Sequence, residues 1–267
     1  MSRSTVAARS RPRPLGSAVD WERVLGELDA AGHAVVPSLL DGEECAEVAA
    51  LYQAPDAFRS HIVMQRHGFG QGEYRYFAYP LPQLVARLRE AAYPPLARLA
   101  NAWNKHLGVA AEYPATLAAF TAHCHAHGQT RPTPLLLKYG AGDYNRLHQD
   151  LYGDIYFPIQ VVVLLSEPGR DFTGGEFVLT ELKPRMQSRV DVVPLRQGDA
   201  CLFAVNHHPA RGARGYYRAG MRHGVSQVRS GHRMTLGIIF HDARLGADPL
   251  PPRNRGGTIA FRHRLAS

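Results

Sequence analysis

From Asp20 onward the apolar positions follow a helical period. Trp21, Val24, Leu25 and Leu28 stand at i, i+3, i+4 and i+7, which predicts a helix with Asp20 as its N-cap and Gly32 as its stop. Ala34-Val35-Val36 predicts a short strand, and Asp41-x-x-Glu44 is a capping box opening a second helix to about Gln53. The period then changes. Residues 61–79 alternate in a strand-like way, with Val63, Phe69, Tyr74, Tyr76 and Tyr79 set among Gly68, Gly70 and Gly72. That pattern suits a structural hairpin and equally a lid over a binding site in which Arg66, His67 and Arg75 touch substrate. Leu84 to about Leu107 is amphipathic and predicts one or two helices bracing a sheet. Beyond it the apolar runs are short: Leu135–Tyr139, Gln160–Leu165, Ala200–Val205 and His232–Phe240 read as strands, the last entered through a turn at Arg229-Ser230-Gly231. The fold class expected is mainly β with flanking helices.

A chain of 267 residues with 45% apolar content is ordinary for one globular domain with extensions. No apolar run is long enough to span a membrane, and no secretory leader is expected. Three widely spaced cysteines, Cys45, Cys124 and Cys201, form no disulfide framework and point to a reducing, cytoplasmic setting. The net charge of +8 belongs to the two ends. Residues 1–19 carry four Arg and no acid, residues 244–267 carry five Arg and one Asp, and residues 20–243 are therefore neutral. The expected organisation is a disordered basic arm at 1–19, one domain at 20–243 and a basic Pro/Gly-rich tail at 244–267. An Arg-rich, acid-free start also resembles an organellar targeting peptide, and composition favours the plain arm. A neutral body gives no general case for a nucleic-acid partner, although Arg211, Arg214, Arg218 and Arg222 crowd one segment.

Chemistry is concentrated in Leu147-His148-Gln149-Asp150. In an extended chain residues two apart share a face, so His148 and Asp150 can grip one metal ion with Gln149 turned away. His223, in Met221-Arg222-His223-Gly224-Val225-Ser226, is the best third ligand, and Arg233 follows ten residues later. Two imidazoles and one carboxylate on a single face of an octahedron leave positions open for a reactant, the arrangement used by non-haem Fe(II) oxygenases. A hairpin placing His223 and Arg233 on adjacent strands is expected. Thr235 shares strand parity with Arg233, so the hydroxyl and the guanidinium are expected to reach the same group.

Taken in order, His148-x-Asp150, Gly174-Gly175-Glu176, Gly198-Asp199, His223-Gly224-Val225 and Arg233 resemble the 2-oxoglutarate/Fe(II) dioxygenase superfamily. The likeness covers about residues 130–243, includes Leu137–Tyr144, and is nearest to the prolyl-4-hydroxylase-like and AlkB-like branches. Arg229 and Arg233 do not keep the AlkB-type arginine spacing. The resemblance implies a double-stranded β-helix, or jelly-roll, core from about residue 130. It also implies Fe(II) held by His148, Asp150 and His223, with 2-oxoglutarate and O2 as co-substrates. Arg233 would anchor the keto acid's far carboxylate, with Thr235 and Tyr139 beside it. A substrate C–H bond would be hydroxylated with release of succinate and CO2. The substrate is left open among a protein side chain, a free amino acid and an alkylated nucleic acid that would be demethylated. A non-catalytic jelly-roll that binds a metal or ligand is the alternative of another class.

Other titratable clusters compete less well. His123-Cys124-His125-Ala126-His127 offers two ligands to a helix face and no third, so satisfied or exposed histidines ending a helix at Gly128 are expected. Asp143 and Asp154 read as turn residues. His207 and His208 are expected in an irregular loop, and His241-Asp242, being adjacent, cannot reproduce the His148/Asp150 geometry. Glu176 is expected to bind substrate or pair with an arginine, and Lys183, Arg185 and Arg189 to form a basic connection, solvated by default or else facing substrate.

Overall fold

Two sheets face each other across a shared apolar core in the computed structural model, which describes residues 19–151 and 153–244 together with Gly246. The basic arm therefore lies outside the described residues except for Val19, and of the tail only Arg244 and Gly246 are described. The strands run in chain order as β1 (His33–Val36), β2 (Phe58–Val63), β3 (Gly70–Gln71), β4 (Glu73–Phe77), β5 (Gln129–Arg131) and β6 (Leu135–Tyr139). They continue as β7 (Tyr144–His148), β8 (Ile159–Leu164), β9 (Phe172–Gly174), β10 (Phe177–Leu182), β11 (Arg189–Val193) and β12 (Ala200–Ala204). The last are β13 (His207–Gly212), β14 (Gly215–Val225), β15 (Val228–Gly231), β16 (Arg233–Ile238) and β17 (Ala243–Arg244). Four α-helices accompany them: α1 (Trp21–Ala31), α2 (Gly42–Ala50), α3 (Gln83–His106) and α4 (Leu117–Ala126).

The major sheet has the order β1-β12-β8-β16-β6-β4-β2. The minor sheet has the order β11-β10-β14-β7-β3, with β13 also on β14. Within these, β12-β8-β16-β6 faces β11-β10-β14-β7, and between β6 and β16 the chain passes back and forth from sheet to sheet. That is a jelly roll of mainly β structure, the fold class expected from the sequence.

The lead-in elements form where capping chemistry directs. Asp20 accepts from the backbone N–H of Arg23, and Gly32 closes α1 in the left-handed conformation. Asp41 and Glu44 make a reciprocal capping box on α2. Helix α3 is one continuous element with Pro94 and Pro95 inside it, and it covers the outer face of the major sheet, where Leu88, Val161, Leu202 and Ile238 line one small apolar cavity. Every residue of β8 is consequently buried, because Val161 faces the helix while Val162 faces the other sheet. A strand covered on both sides must be apolar throughout, which is why Gln160–Leu165 reads as an unbroken run.

Several placements differ from the pattern-based expectation. His207 and His208 lie on β13, not in a loop, and His208 is buried 3.1 Å from Glu181. Val228–Gly231 is itself a strand that pairs with β9, so Arg229-Ser230-Gly231 is no turn. His223 and Arg233 are therefore not on adjacent strands. The excursion through β15 carries the chain from the minor sheet to the major one, and the two side chains approach from opposite walls. The 61–79 stretch is built into both sheets: β4 pairs with β6, and β3 with β7.

Past β16 the chain runs into a buried polar knot. Asp242 is fully buried and accepts from Arg89 Nη2 and Tyr79 Oη, each at 2.8 Å, with His125 Nε2 also 2.8 Å away. One carboxylate thus ties α3 and α4 to the segment between β16 and β17, and it gives His125 of the histidine cluster a structural partner. Next to it, His241 is fully buried, and its Nδ1 accepts from the Phe157 N–H at 3.1 Å. Burial, and then Arg89 nearby, hold the His241 imidazole down at about 4. The unfolded chain takes up that proton first as pH falls, so stability is expected to drop between about pH 6.5 and 4, by about 3 kcal/mol from this group. Denaturant midpoints measured across that window should show the slope, and His241→Gln, which keeps an acceptor for Phe157, should flatten it.

Candidate active site

The expected triad comes together at the junction of β7 and β14. His148 ends β7 and His223 is its Cα partner on β14, so both imidazoles project into the space between the sheets. Asp150 lies two residues past the strand end. His148 Nε2 is 3.3 Å from Asp150 Oδ1, and His223 Nε2 is 3.3 Å from Asp150 Oδ2. The two rings are 4.2 Å apart between centroids, and one donor atom from each residue falls within 4.8 Å of the others. No other such group occurs among the described residues.

Local hydrogen bonds prepare these donors. His148 Nδ1 lies 2.6 Å from the Arg146 carbonyl, which only accepts, so Nδ1 carries a proton and Nε2 is the atom turned to Asp150, the one open to a metal. Burial opposes ionisation of Asp150, but His148 and His223 beside it overcome that cost and hold the carboxyl well below its usual range. Gln149 does turn away: its Nε2 donates to the carbonyls of Asn206 at 2.9 Å and Met221 at 2.8 Å. It thereby pins the ligand loop to the strand that carries His223, a positioning contact that His-x-Asp spacing alone does not reveal.

A cavity of about 160 Å³ opens beside the triad. Its major-sheet wall can be read in rungs from strand register. Arg233 pairs with Tyr139, Thr235 with Leu137 and Leu164, and Gly237 with Leu135 and Val162. Gln160 pairs with Phe203 one rung further on. Arg233 and Thr235 are each 1% exposed and Tyr139 is fully buried, so the three residues share one closed end. The Arg233 guanidinium lies 5.6 Å from the Tyr139 ring, yet its Nε and Nη1 have no hydrogen-bond partner. Burial pushes this guanidinium down to about 10. A buried cation with two unpaired N–H groups in a cavity is a fitted receptor for an anion.

Glycines press this end into place. A Cβ on Gly72 would lie 2.9 Å from the Tyr139 ring, and one on Gly175 would lie 2.9 Å from Arg233 Cδ, both at positive φ. The Gly174-Gly175 pair is thus required by the close packing of backbone and side chains at this end. Glu176 turns outward to Ser226, its neighbour across the strands.

The donor set and the buried guanidinium suit Fe(II) and a dicarboxylate such as 2-oxoglutarate. The family model described as "Oxygenase, catalysing oxidative methylation of damaged DNA" matches residues 72–243. The chain belongs to this oxygenase family. An uncharacterised protein of Mycobacterium tuberculosis is 49% identical to the oxygenase over 167 residues, covering 62% of this chain and 72% of the relative. Among solved structures, the nogalamycin-biosynthesis epimerase SnoN superposes with a TM-score of 0.53 at 17% identity, covering 91% of this chain and 93% of that one. A Pseudomonas putida prolyl-4-hydroxylase superposes with a TM-score of 0.50 at 17% identity, over 84% of this chain and 100% of its own. A 2-oxoglutarate/Fe(II) oxygenase-family protein of Burkholderia pseudomallei gives 0.50 at 19%, over 85% and 94%. These likenesses speak to the fold. The Fe(II)- and 2-oxoglutarate-dependent class expected from the sequence is the class of this oxygenase.

The remaining candidates fall elsewhere. Asp143 caps its own turn, accepting from the Gly140 N–H at 2.7 Å, and Asp154 pairs with Arg244 on the surface. Lys183 and Arg189 lie 3.4 Å and 3.7 Å from Glu181. Of the 61–79 stretch, Phe69, Tyr74 and Tyr76 line the cavity. Arg75 points the other way, donating to the Tyr52 carbonyl and lying 4.3 Å over the Tyr52 ring. Because the Arg233 charge has no ion-pair partner among the described residues, Arg233→Met is expected to stabilise the metal- and co-substrate-free oxygenase by about 1–3 kcal/mol. Urea denaturation of the two proteins checks this.

Proposed function

We propose that this oxygenase oxidises the alkyl group of a damaged base in nucleic acid. His148, Asp150 and His223 would hold Fe(II), and Arg233, Thr235 and Tyr139 would hold 2-oxoglutarate. Bound there, iron and keto acid supply O2 activation and insertion of oxygen into a C–H bond, with succinate and CO2 released. The protein's own groups bind and orient. The Asp150 carboxylate offsets part of the metal's charge while the Arg146 carbonyl fixes the His148 ring. Arg233 offers its two free N–H groups to the far carboxylate as parallel charge-assisted bonds, and the Thr235 hydroxyl reaches the same end. Apolar and aromatic walls from Phe69, Tyr74, Tyr76 and Phe203 exclude water and give a flat base surfaces to stack on. An N-methyl group hydroxylated in this cavity breaks down to formaldehyde and the repaired base.

The observation that carries the substrate class is the family match over residues 72–243. The surface charge supports it. Arg211, Arg214, Arg218 and Arg222 are exposed on the β13–β14 hairpin and make no ion pair among the described residues. A neutral body thus carries a local basic row on the hairpin whose second strand bears His223, suited to phosphates. Cys45, Cys124 and Cys201 are free and buried, in keeping with the cytoplasmic setting that we propose.

With iron, 2-oxoglutarate and methylated oligonucleotides, succinate and formaldehyde are expected in equal amounts. His148→Ala and Asp150→Ala should each abolish both. Arg233→Ala should raise the KM for 2-oxoglutarate by roughly 10–100-fold, the equivalent of losing a charge-assisted pair. Succinate formed with peptides or amino acids, and none with methylated oligonucleotides, would overturn the nucleic-acid assignment. Replacing Arg218 and Arg222 together should lower the slope of log affinity against log salt by about 2.

A further inference from the structure

Gln160 stands apart from the rest of the cavity wall. It is 4% exposed, it lines the cavity, and its Nε2 finds no hydrogen-bond partner. It lies on β8 beside apolar residues, in a strand that otherwise reads Ile159, Val161, Val162, Val163 and Leu164. A carboxamide in that setting is costly unless something in the cavity pairs with it.

Its place on the wall says what that something is. Thr235, at the closed end with Arg233, pairs with Leu164, and Gln160 is four residues further along the same strand, roughly 13 Å away at ordinary strand rise. Gln160 pairs instead with Phe203, whose ring is 4.7 Å from that of His223. The keto-acid receptor and Gln160 therefore occupy opposite ends of the cavity wall, and Gln160 is on the substrate's side beside the third ligand. Tyr76, paired with Leu135, lines the same end.

We propose that Gln160 determines which base the oxygenase accepts, its Nε2 donating to a carbonyl oxygen beside the alkylated ring nitrogen. This rests on the nucleic-acid reading above. The bases that fit are a pyrimidine alkylated at N3, whose C2 carbonyl adjoins that nitrogen, and a guanine alkylated at N1, whose C6 carbonyl does the same. In 1-methyladenine the alkylated nitrogen is flanked by an amino group and a C–H, so nothing there accepts. Gln160 touches neither metal ligand nor keto acid in this assignment, so it acts on substrate choice alone.

The test compares wild-type protein, Gln160→Leu and Gln160→Glu on otherwise identical oligonucleotides carrying 3-methylcytosine, 3-methylthymine or 1-methyladenine. Wild type is expected to favour the two pyrimidines. Gln160→Leu should raise the KM for both at least tenfold, leave the KM for 2-oxoglutarate within twofold, and level the preference. Gln160→Glu keeps the shape but offers only acceptors, and should shift preference toward 1-methyladenine, whose amino group donates. Gln160→Met is a second apolar replacement should the leucine protein fold poorly. Wild-type turnover of methylated oligonucleotides with unchanged KM and preference in the Gln160 variants overturns this inference and leaves the nucleic-acid reading standing. Absence of wild-type turnover on all three removes that reading, and this inference with it.

Discussion

His148 and His223 meet because β7 and β14 pair antiparallel with those two residues opposite each other. The rest of the site inherits that register. A slip of one residue along β14 would turn His223 to the outside of the minor sheet and bring Arg222 inward. The register is held by more than the strand ladder. Gln149, immediately after His148, bonds to carbonyls of Asn206 and Met221 and so locks the end of β7 to the β13–β14 region. The β-bulge between the His223 and Val225 pairings sits on the other side, where it lets Asn145 as well as His148 face the cavity.

The second constraint is electrostatic. The carboxylate of Asp150 is buried among imidazoles on one wall, and the guanidinium of Arg233 is buried against Tyr139 on the other. They do not pair with each other. An ion pair between them would close the cavity; held apart, Asp150 lies between the two imidazoles and Arg233 keeps its affinity for an anion. The folded chain thereby sacrifices stability at Arg233 to keep a receptor open. This is the usual relation between a preorganised site and the scaffold that supports it.

Much of this was legible in the sequence where the determining interactions are local. Asp20, Gly32 and the Asp41/Glu44 pair fix helix ends through contacts a few residues apart, and they were found where expected. The triad was legible because imidazole and carboxylate two residues apart, followed by a distant His-Gly-Val, form an unusual combination. What escaped was set by topology. Nothing in Val228–Gly231 distinguishes a turn from a short strand that leaves its sheet, so Arg233 was expected beside His223 instead of across from it. His207 and His208 looked irregular because the segment's polarity hides its pairing with β14. Gln160 was hidden inside an apolar run, since no periodicity marks one polar residue in a strand buried on both faces. Asp242 looked like a poor metal ligand, and only the fold brings Arg89, Tyr79 and His125 to it.

The glycines behind Tyr139 and Arg233 divide the cavity into halves of unequal freedom. Backbone at Gly72 and Gly175 abuts those two side chains, so that half tolerates no added bulk and no shift of its occupants. The opposite half is bounded by side chains such as Leu151 and Phe69, which are partly open to solvent. Divergence within such a barrel therefore has one direction open to it. The end that holds the buried guanidinium stays rigid, while the opening remakes itself around new molecules.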